Sequence, residues 1–261
     1  MSHFRPQPGH LSRRHFLPGL GATVALPLLN ASSPLCAAEP SSEAPRKLRI
    51  VVTGGHPGDP EYGCGGTIAR YVEMGHEVVL LYLNRGDTEE TATRPAHPLR
   101  GDEGKRACEI LGARPVFAGQ INGHAIVDEE HYRQFRVLLE GEKPDAVFTH
   151  WPIDNHADHR AISNLTYDSW LRLGRKFALY YYEVSNGEDT LQFAPTHYVD
   201  ISRTEARKRL SCYAHSSQTP DRYYALQELV TRMRGIESGF KQAEAYVRHI
   251  QSPDFALPPA E

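Results

Sequence analysis

The chain has 261 residues, 40% of them hydrophobic and 23% charged, which fits one sizeable globular core rather than a disordered or low-complexity chain. A formal net charge of −3 gives no support to nucleic-acid binding, which depends on a basic face. Four cysteines at irregular spacing are not a disulfide framework, while fourteen histidines are many, and their placement matters more than their number.

The chain opens with Ser12-Arg13-Arg14-His15-Phe16-Leu17, followed by a weakly apolar run to Leu29 that is broken by Pro18, Gly19 and Gly21, and then by Cys36-Ala37-Ala38-Glu39. Paired arginines, a modest apolar middle and a small-residue cleavage site resemble a twin-arginine export signal over residues 1–38. The expectation is export of a folded protein, with a periplasmic location. The run is too short and too interrupted to be a permanent membrane anchor. Cleavage near Ala38 removes Arg5, Arg13, Arg14 and Cys36 and no acid, leaving Cys64, Cys108 and Cys212, which read as small buried side chains.

A Pro- and Ser-rich linker spans 39–46. Leu48 to Thr53 then reads as a buried strand, Gly65 to Met74 as a helix stopped by Gly75, and Val78 to Leu83 as a second buried strand. Asn84-Arg85-Gly86-Asp87 closes that strand, and a polar loop runs on to Leu99. A helix over 100–111, a strand over 115–118, a helix over 129–140 and a strand over 145–149 repeat the alternation. A helix over 161–173, strands over 177–182 and 196–201 and helices over 204–215 and 222–240 complete it, and residues 251–261 read as a tail. Strands alternating with helices predict an α/β domain over 47–250, Rossmann-like, with a mostly parallel sheet and helices on both faces.

Two polar clusters follow apolar strands. The first is Gly54-Gly55-His56-Pro57-Gly58-Asp59-Pro60-Glu61, and the second is His150-Trp151-Pro152-Ile153-Asp154-Asn155-His156-Ala157-Asp158-His159-Arg160. In a parallel sheet both strand ends reach the same edge, where ligand-binding loops collect. Two histidines and a carboxylate drawn from these clusters form a ligand set with a coordination position open for water, as a catalytic divalent metal requires. Of His156 and His159, three apart, only one need bind the metal, which leaves the other free to steady an oxyanion. The same residues also suit capping and bracing of the loops.

The stretch Gly55-His56-Pro57-Gly58-Asp59-Pro60-Glu61-Tyr62-Gly63-Cys64-Gly65-Gly66-Thr67 resembles the signature of the PIG-L/LmbE-type deacetylases in a variant H-P-G-D-P-E form, and His156-Ala157-Asp158-His159-Arg160 matches their second signature. The likeness continues through Asn84-Arg85-Gly86, Val199-Asp200-Ile201 and His215-Ser216-Ser217-Gln218. The resemblance implies a zinc (Zn2+) or other divalent-metal hydrolase that removes an N-acetyl group from an amino sugar or glycoconjugate using metal-bound water. It implies His56, Asp59 and His159 as metal ligands, His156 as the oxyanion-stabilising group, Asp158 as an orienting acid and Arg85 as a substrate contact. Oligomeric state is left open.

At two positions the sequence departs from this pattern. The acid that serves the family as general base is replaced by Gly58, and the acid after Asp59 by Pro60. Four consequences are open at this point. Asp154, Asp158 or Glu61 substitutes as base; or the reaction runs slowly without one, since a placed base contributes about 10²–10⁴-fold; or the chain is an exported, metal-containing glycan-binding protein with little turnover; or Gly58 admits a different substrate close to the backbone.

Overall fold

Strands that are apolar at every position are stable only when covered on both faces. Val51-Val52, Val78 to Leu83 and Ala146-Val147-Phe148 are of this kind, and all are buried. The computed structural model describes residues 46–88 and 99–260. The export signal expected over 1–38, nearly all of the 39–46 linker and most of the polar loop after Asp87 lie outside the described residues.

In chain order the elements are β1 (Arg49–Gly54), α1 (Asp59–Glu73), β2 (Glu77–Asn84), α2 (Leu99–Leu111), β3 (Arg114–Gln120), α3 (Glu129–Gly141), β4 (Ala146–His150) and α4 (Ala157–Arg172). They continue with β5 (Ala178–Tyr182), β6 (His197–Asp200), α5 (Glu205–Tyr213), a 3-10 turn (Ser216–Gln218), α6 (Pro220–Ser238) and β7 (Ala243–Arg248). The sheet order is β3-β2-β1-β4-β5-β7-β6. The first five strands are parallel, and β7 runs antiparallel to both of its neighbours. Alternate strand residues feed two cores: Ile50, Val52, Leu80, Tyr82 and Phe148 face α1, α2, α5 and α6, and Val51, Leu81, Val147 and Leu179 face α3 and α4. The mostly parallel α/β sheet with helices on both faces is as the alternation predicts.

Three differences have physical causes. Helix α1 starts at Asp59, six residues before the expected Gly65, because Pro60 suits a first turn and Asp59 and Glu61 favour a helix N-terminus. Its glycines therefore lie inside the helix as points of close approach: a methyl group on Gly63 would strike the Tyr182 ring, and one on Gly66 would lie 2.5 Å from Ile201. Strand β7 was not foreseen, because Glu244 reads as a surface charge in a short segment. The end of the chain is irregular backbone but packs against the body: Tyr180 and Arg70 donate to the carbonyls of Phe255 and Pro259, and Phe255 and Leu257 meet the core. Cys64, Cys108 and Cys212 are buried and free, and no helix among the described residues is long and apolar enough to cross a membrane.

The buried charge in β7 explains how α1 is held. Lys208 Nζ lies 2.5 Å from Glu244 Oε1 and donates to the Tyr62 carbonyl, while Glu244 accepts the backbone N–H groups of Gly66 and Thr67. Both side chains are essentially inaccessible to water. Breaking such a pair from one side leaves a buried charge unpaired, so Lys208→Met is expected to lower unfolding free energy by roughly 3–5 kcal/mol. Adding Glu244→Gln should recover part of that loss in urea melts followed by circular dichroism; no change for Lys208→Met alone would contradict the assignment.

Candidate active site

The strand order reverses between β1 and β4, which pair directly, and both polar clusters leave the carboxyl ends of those two strands. This is where an open α/β sheet forms a crevice. Gly54 and Gly55 carry the chain through the tight passage to His56: a side chain on Gly54 would strike the Pro60 ring, and one on Gly55 would lie 3.0 Å from His159. The His56 backbone N–H donates to Asp59 Oδ2 at 2.8 Å, which locks the first turn of α1 against the loop. In the second cluster the N-cap of α4 is His156, so Asp158 and His159 project from the helix's first turn.

Three imidazole nitrogens then converge on one carboxylate oxygen. Asp59 Oδ2 lies 3.2 Å from His56 Nδ1, 3.3 Å from His159 Nε2 and 3.2 Å from His150 Nε2. Tetrahedral bonds of about 2.0–2.1 Å to one ion set ligand atoms roughly 3.3 Å apart, which each nitrogen's distance to Asp59 Oδ2 matches, while the expected set His56/Asp59/His159 is divided between two groups whose ligand atoms all lie close together. Each of the sets His56/His156/His159 and Asp59/His150/His159 also offers one ligand atom per residue within 4.8 Å. The electrostatics agree. Burial disfavours charge on His159, yet the Asp59 and Asp154 carboxylates raise its pKa to about 10, and His56 is raised in the same way by Asp59 and Asp158. Burial likewise opposes the Asp59 carboxylate, but His159 and His56 hold it well below the usual range. A buried site that draws protons onto two histidines is one that favours a cation. His150 is the exception: burial and the neighbouring His159 push it down to about 4, so its ring is neutral.

The other expected residues divide between the cavity and its supports. His156 is half-buried and lines a cavity of about 250 Å³ together with His56, Gly58, Asp59 and His159. Its Nδ1 accepts the Asp158 backbone N–H at 3.2 Å, and burial and the two neighbouring histidines lower its pKa. The neutral ring therefore carries its proton on Nε2. Asp158 stands behind His56: its Oδ2 accepts from His56 Nε2 at 3.0 Å, from Asn84 Nδ2 and from the Gly123 N–H. Asp154 stands behind His159, accepting from His159 Nδ1 at 3.1 Å and the His156 N–H with Oδ1, and from Thr190 Oγ1 with Oδ2. Neither acid lines the cavity: Asp158 stands behind His56 as an orienting acid would, and Asp154 braces His159 in the same way rather than facing the cavity as a substitute base. Each acid holds the ring nitrogen opposite the one that faces Asp59, the arrangement carboxylates commonly adopt behind metal-binding histidines.

Arg85 is exposed, with its guanidinium 4.8 Å over the Phe117 ring, and does not line the cavity. The cavity's arginine is instead Arg100, at the start of α2. His215 also lines the cavity, with its Nε2 3.1 Å from Glu61 Oε1. Glu61 itself is fully buried and engaged by Tyr82 Oη and the Gly58 N–H, which removes it as a substitute base facing water. His150, Arg100 and His215 were not among the expected site residues. The strand end before Trp151 was the signal for His150 and the likeness at His215-Ser216-Ser217-Gln218 the signal for His215, whereas only the fold brings Arg100 to the site.

Gly58 is fixed by its backbone. Its φ is +116°, a conformation strained for any L side chain, although a Cβ there would find its nearest neighbours, Tyr62 and His215, at ordinary contact distances. An acid introduced at this position has room but the wrong backbone. Gly58→Asp is therefore expected to destabilise the fold by about 1–3 kcal/mol, read as a lowered urea midpoint. An unchanged midpoint would show that the loop relaxes freely.

Comparison with known proteins bears on this geometry. Residues 51–170, which contain both clusters, match the PIG-L family, GlcNAc-PI de-N-acetylase. Diacetylchitobiose deacetylase of Thermococcus kodakarensis is 26% identical over 219 residues, covering 78% of this chain and 82% of that protein. A conserved protein from Thermus thermophilus superposes with a TM-score of 0.68 at 27% identity, over 82% of this chain and 99% of that one. GalB, the 4-carboxy-2-hydroxymuconate hydratase of Pseudomonas putida, superposes with a TM-score of 0.69 at 20% identity, over 80% and 99% of the two chains. The shared fold therefore hosts more than one reaction, and the stretch that matches the family model is the one that carries the two clusters. Over that stretch the chain is similar to the PIG-L/LmbE-like deacetylases.

Proposed function

We propose that the protein is a metal-dependent deacetylase that hydrolyses the acetamido group of an amino sugar or glycoconjugate. The observation that carries this reading is the convergence of His56, His159 and His150 on Asp59 Oδ2, with His56, Asp59 and His159 lining a cavity that also holds a neutral histidine N–H donor. His56, Asp59 and His159 would hold the ion, with His150 packed flat on His159 at 4.0 Å between ring centres. We take the ion to be zinc, which such mixed His/Asp sets accept. When bound, it would polarise the amide carbonyl and acidify the attacking water.

The remaining work falls to this chain's own groups. His156 Nε2–H donates to the oxygen on which charge develops as the carbonyl carbon becomes tetrahedral. Asp154 and Asp158 keep the His159 and His56 rings in place through the bonds described above. Arg100 offers guanidinium donors to a sugar oxygen inside the cavity, and Arg85, outside it on Phe117, meets only a longer substrate at the rim. The cavity is smaller than the roughly 300–1,000 Å³ of drug-sized pockets, which suits one terminal sugar. The start of the sequence supports export of the folded chain, so the substrate would be met outside the cytoplasm.

The test is acetate release from N-acetylglucosaminides and diacetylchitobiose by mature protein given one equivalent of zinc. Turnover is expected, with His159→Ala losing stoichiometric zinc in equilibrium dialysis. His156→Ala should keep the metal and lose about 10²–10³-fold in kcat, the usual cost of an oxyanion donor. Tight zinc binding with no acetate from any substrate would instead favour the glycan-binding alternative.

A further inference from the structure

Amide hydrolysis needs a group that takes a proton from the attacking water, and Gly58 has none. The acids nearest in sequence are committed elsewhere: Asp154 to His159, His156 and Thr190, Asp158 to His56, Asn84 and Gly123, and Glu61 to Gly58, Tyr82 and His215. None of the three lines the cavity, and among the described residues the carboxylates that do are Asp59 and Asp189.

Asp189 belongs to the turn that leaves β5, and this turn is sewn to the second cluster. The N–H groups of Glu188 and Asp189 donate to the Ser185 carbonyl, and the Asp189 carbonyl accepts the Asn155 N–H at 2.8 Å. One residue on, Thr190 bridges Asp154 through the backbone and through its hydroxyl. Because Asp154 also holds His159, the Asp189 backbone and the His159 ring share one frame. The charged groups acting on Asp189 are His159, Asp154 and Asp59. Burial raises its carboxyl above the usual range, with His159 opposing, which suits an acceptor that must later give the proton up.

We propose that Asp189 is the proton acceptor of the reaction, in place of the side chain missing at position 58. It takes a proton from the water whose oxygen bonds to the acetamide carbon. It then returns that proton to the amine nitrogen as the C–N bond breaks, so that acetate and a free amine leave. This assignment rests on the deacetylase reading above.

The test uses the zinc-loaded full-length mature protein. Asp189→Asn is expected to lower kcat for acetate release by about 10²–10⁴-fold, with KM within about threefold and zinc stoichiometry unchanged. Acetohydroxamic acid, whose hydroxyl proton needs an acceptor when it chelates, should bind about tenfold more weakly by calorimetry. Asp189→Glu, which keeps the carboxylate, should recover part of both. If Asp189→Asn keeps kcat and acetohydroxamic acid affinity near the parent's, the proton role is overturned and deacetylation stands. A parent chain that releases no acetate removes the deacetylase reading itself, and the proton role with it.

Discussion

One carboxylate oxygen organises this molecule. Asp59 Oδ2 takes the backbone N–H of His56 and faces three imidazole nitrogens from two strand ends. Four polar groups packed around a buried anion would be costly without compensation, and they are compensated by one another and by the cation the site favours. The fold around them satisfies that constraint. β1 and β4 lie side by side at the point where strand order reverses, and glycines bring the backbone close enough for the side chains to meet.

Behind this centre lies a set of buried acids, each oriented by groups from distant parts of the chain. Asp158 joins His56 to the end of β2 and to Gly123, and Asp154 joins His159 to the turn after β5. Glu61 ties the first turn of α1 to Tyr82 and to His215 beyond α5. Glu244 ties the middle of α1 to Lys208. The helix that carries Asp59 is thus held at both its start and its middle by buried charge. A low-dielectric interior makes such networks stiff when complete and costly when broken. That stiffness serves a site whose ligand atoms must hold their separations to a few tenths of an ångström.

The missing acid at position 58 has a structural counterpart. The backbone at Gly58 turns with φ +116°, so the loop itself has adopted a shape in which a side chain is unwelcome. The turn after β5 also lines the cavity, and its Asp189 is the carboxylate found there besides Asp59 among the described residues. A proton acceptor need not come from a particular strand end, provided a rigid frame brings it to the same water.

By itself the sequence determined the class of fold and the two clusters. Unbroken apolar runs of strand length between amphipathic helices leave little choice but a covered parallel sheet, and His56, Asp59, His156 and His159 stand close to strand ends in the chain. What only the tertiary structure decided were the relations carried by long-range contacts. Asp154 and Asp158 sit beside the histidines in sequence, yet the helix N-terminus turns them behind those rings and away from the cavity. His150, Arg100, His215 and Asp189 come to the site from a strand end and three separate segments, and no local pattern announces that meeting. Strand β7 was illegible for the same reason: Glu244 looks like surface until Lys208, thirty-six residues earlier, is seen to bury it. Periodicity records which face of an element is apolar, but the partner of a buried polar group is set by packing between elements far apart in the chain.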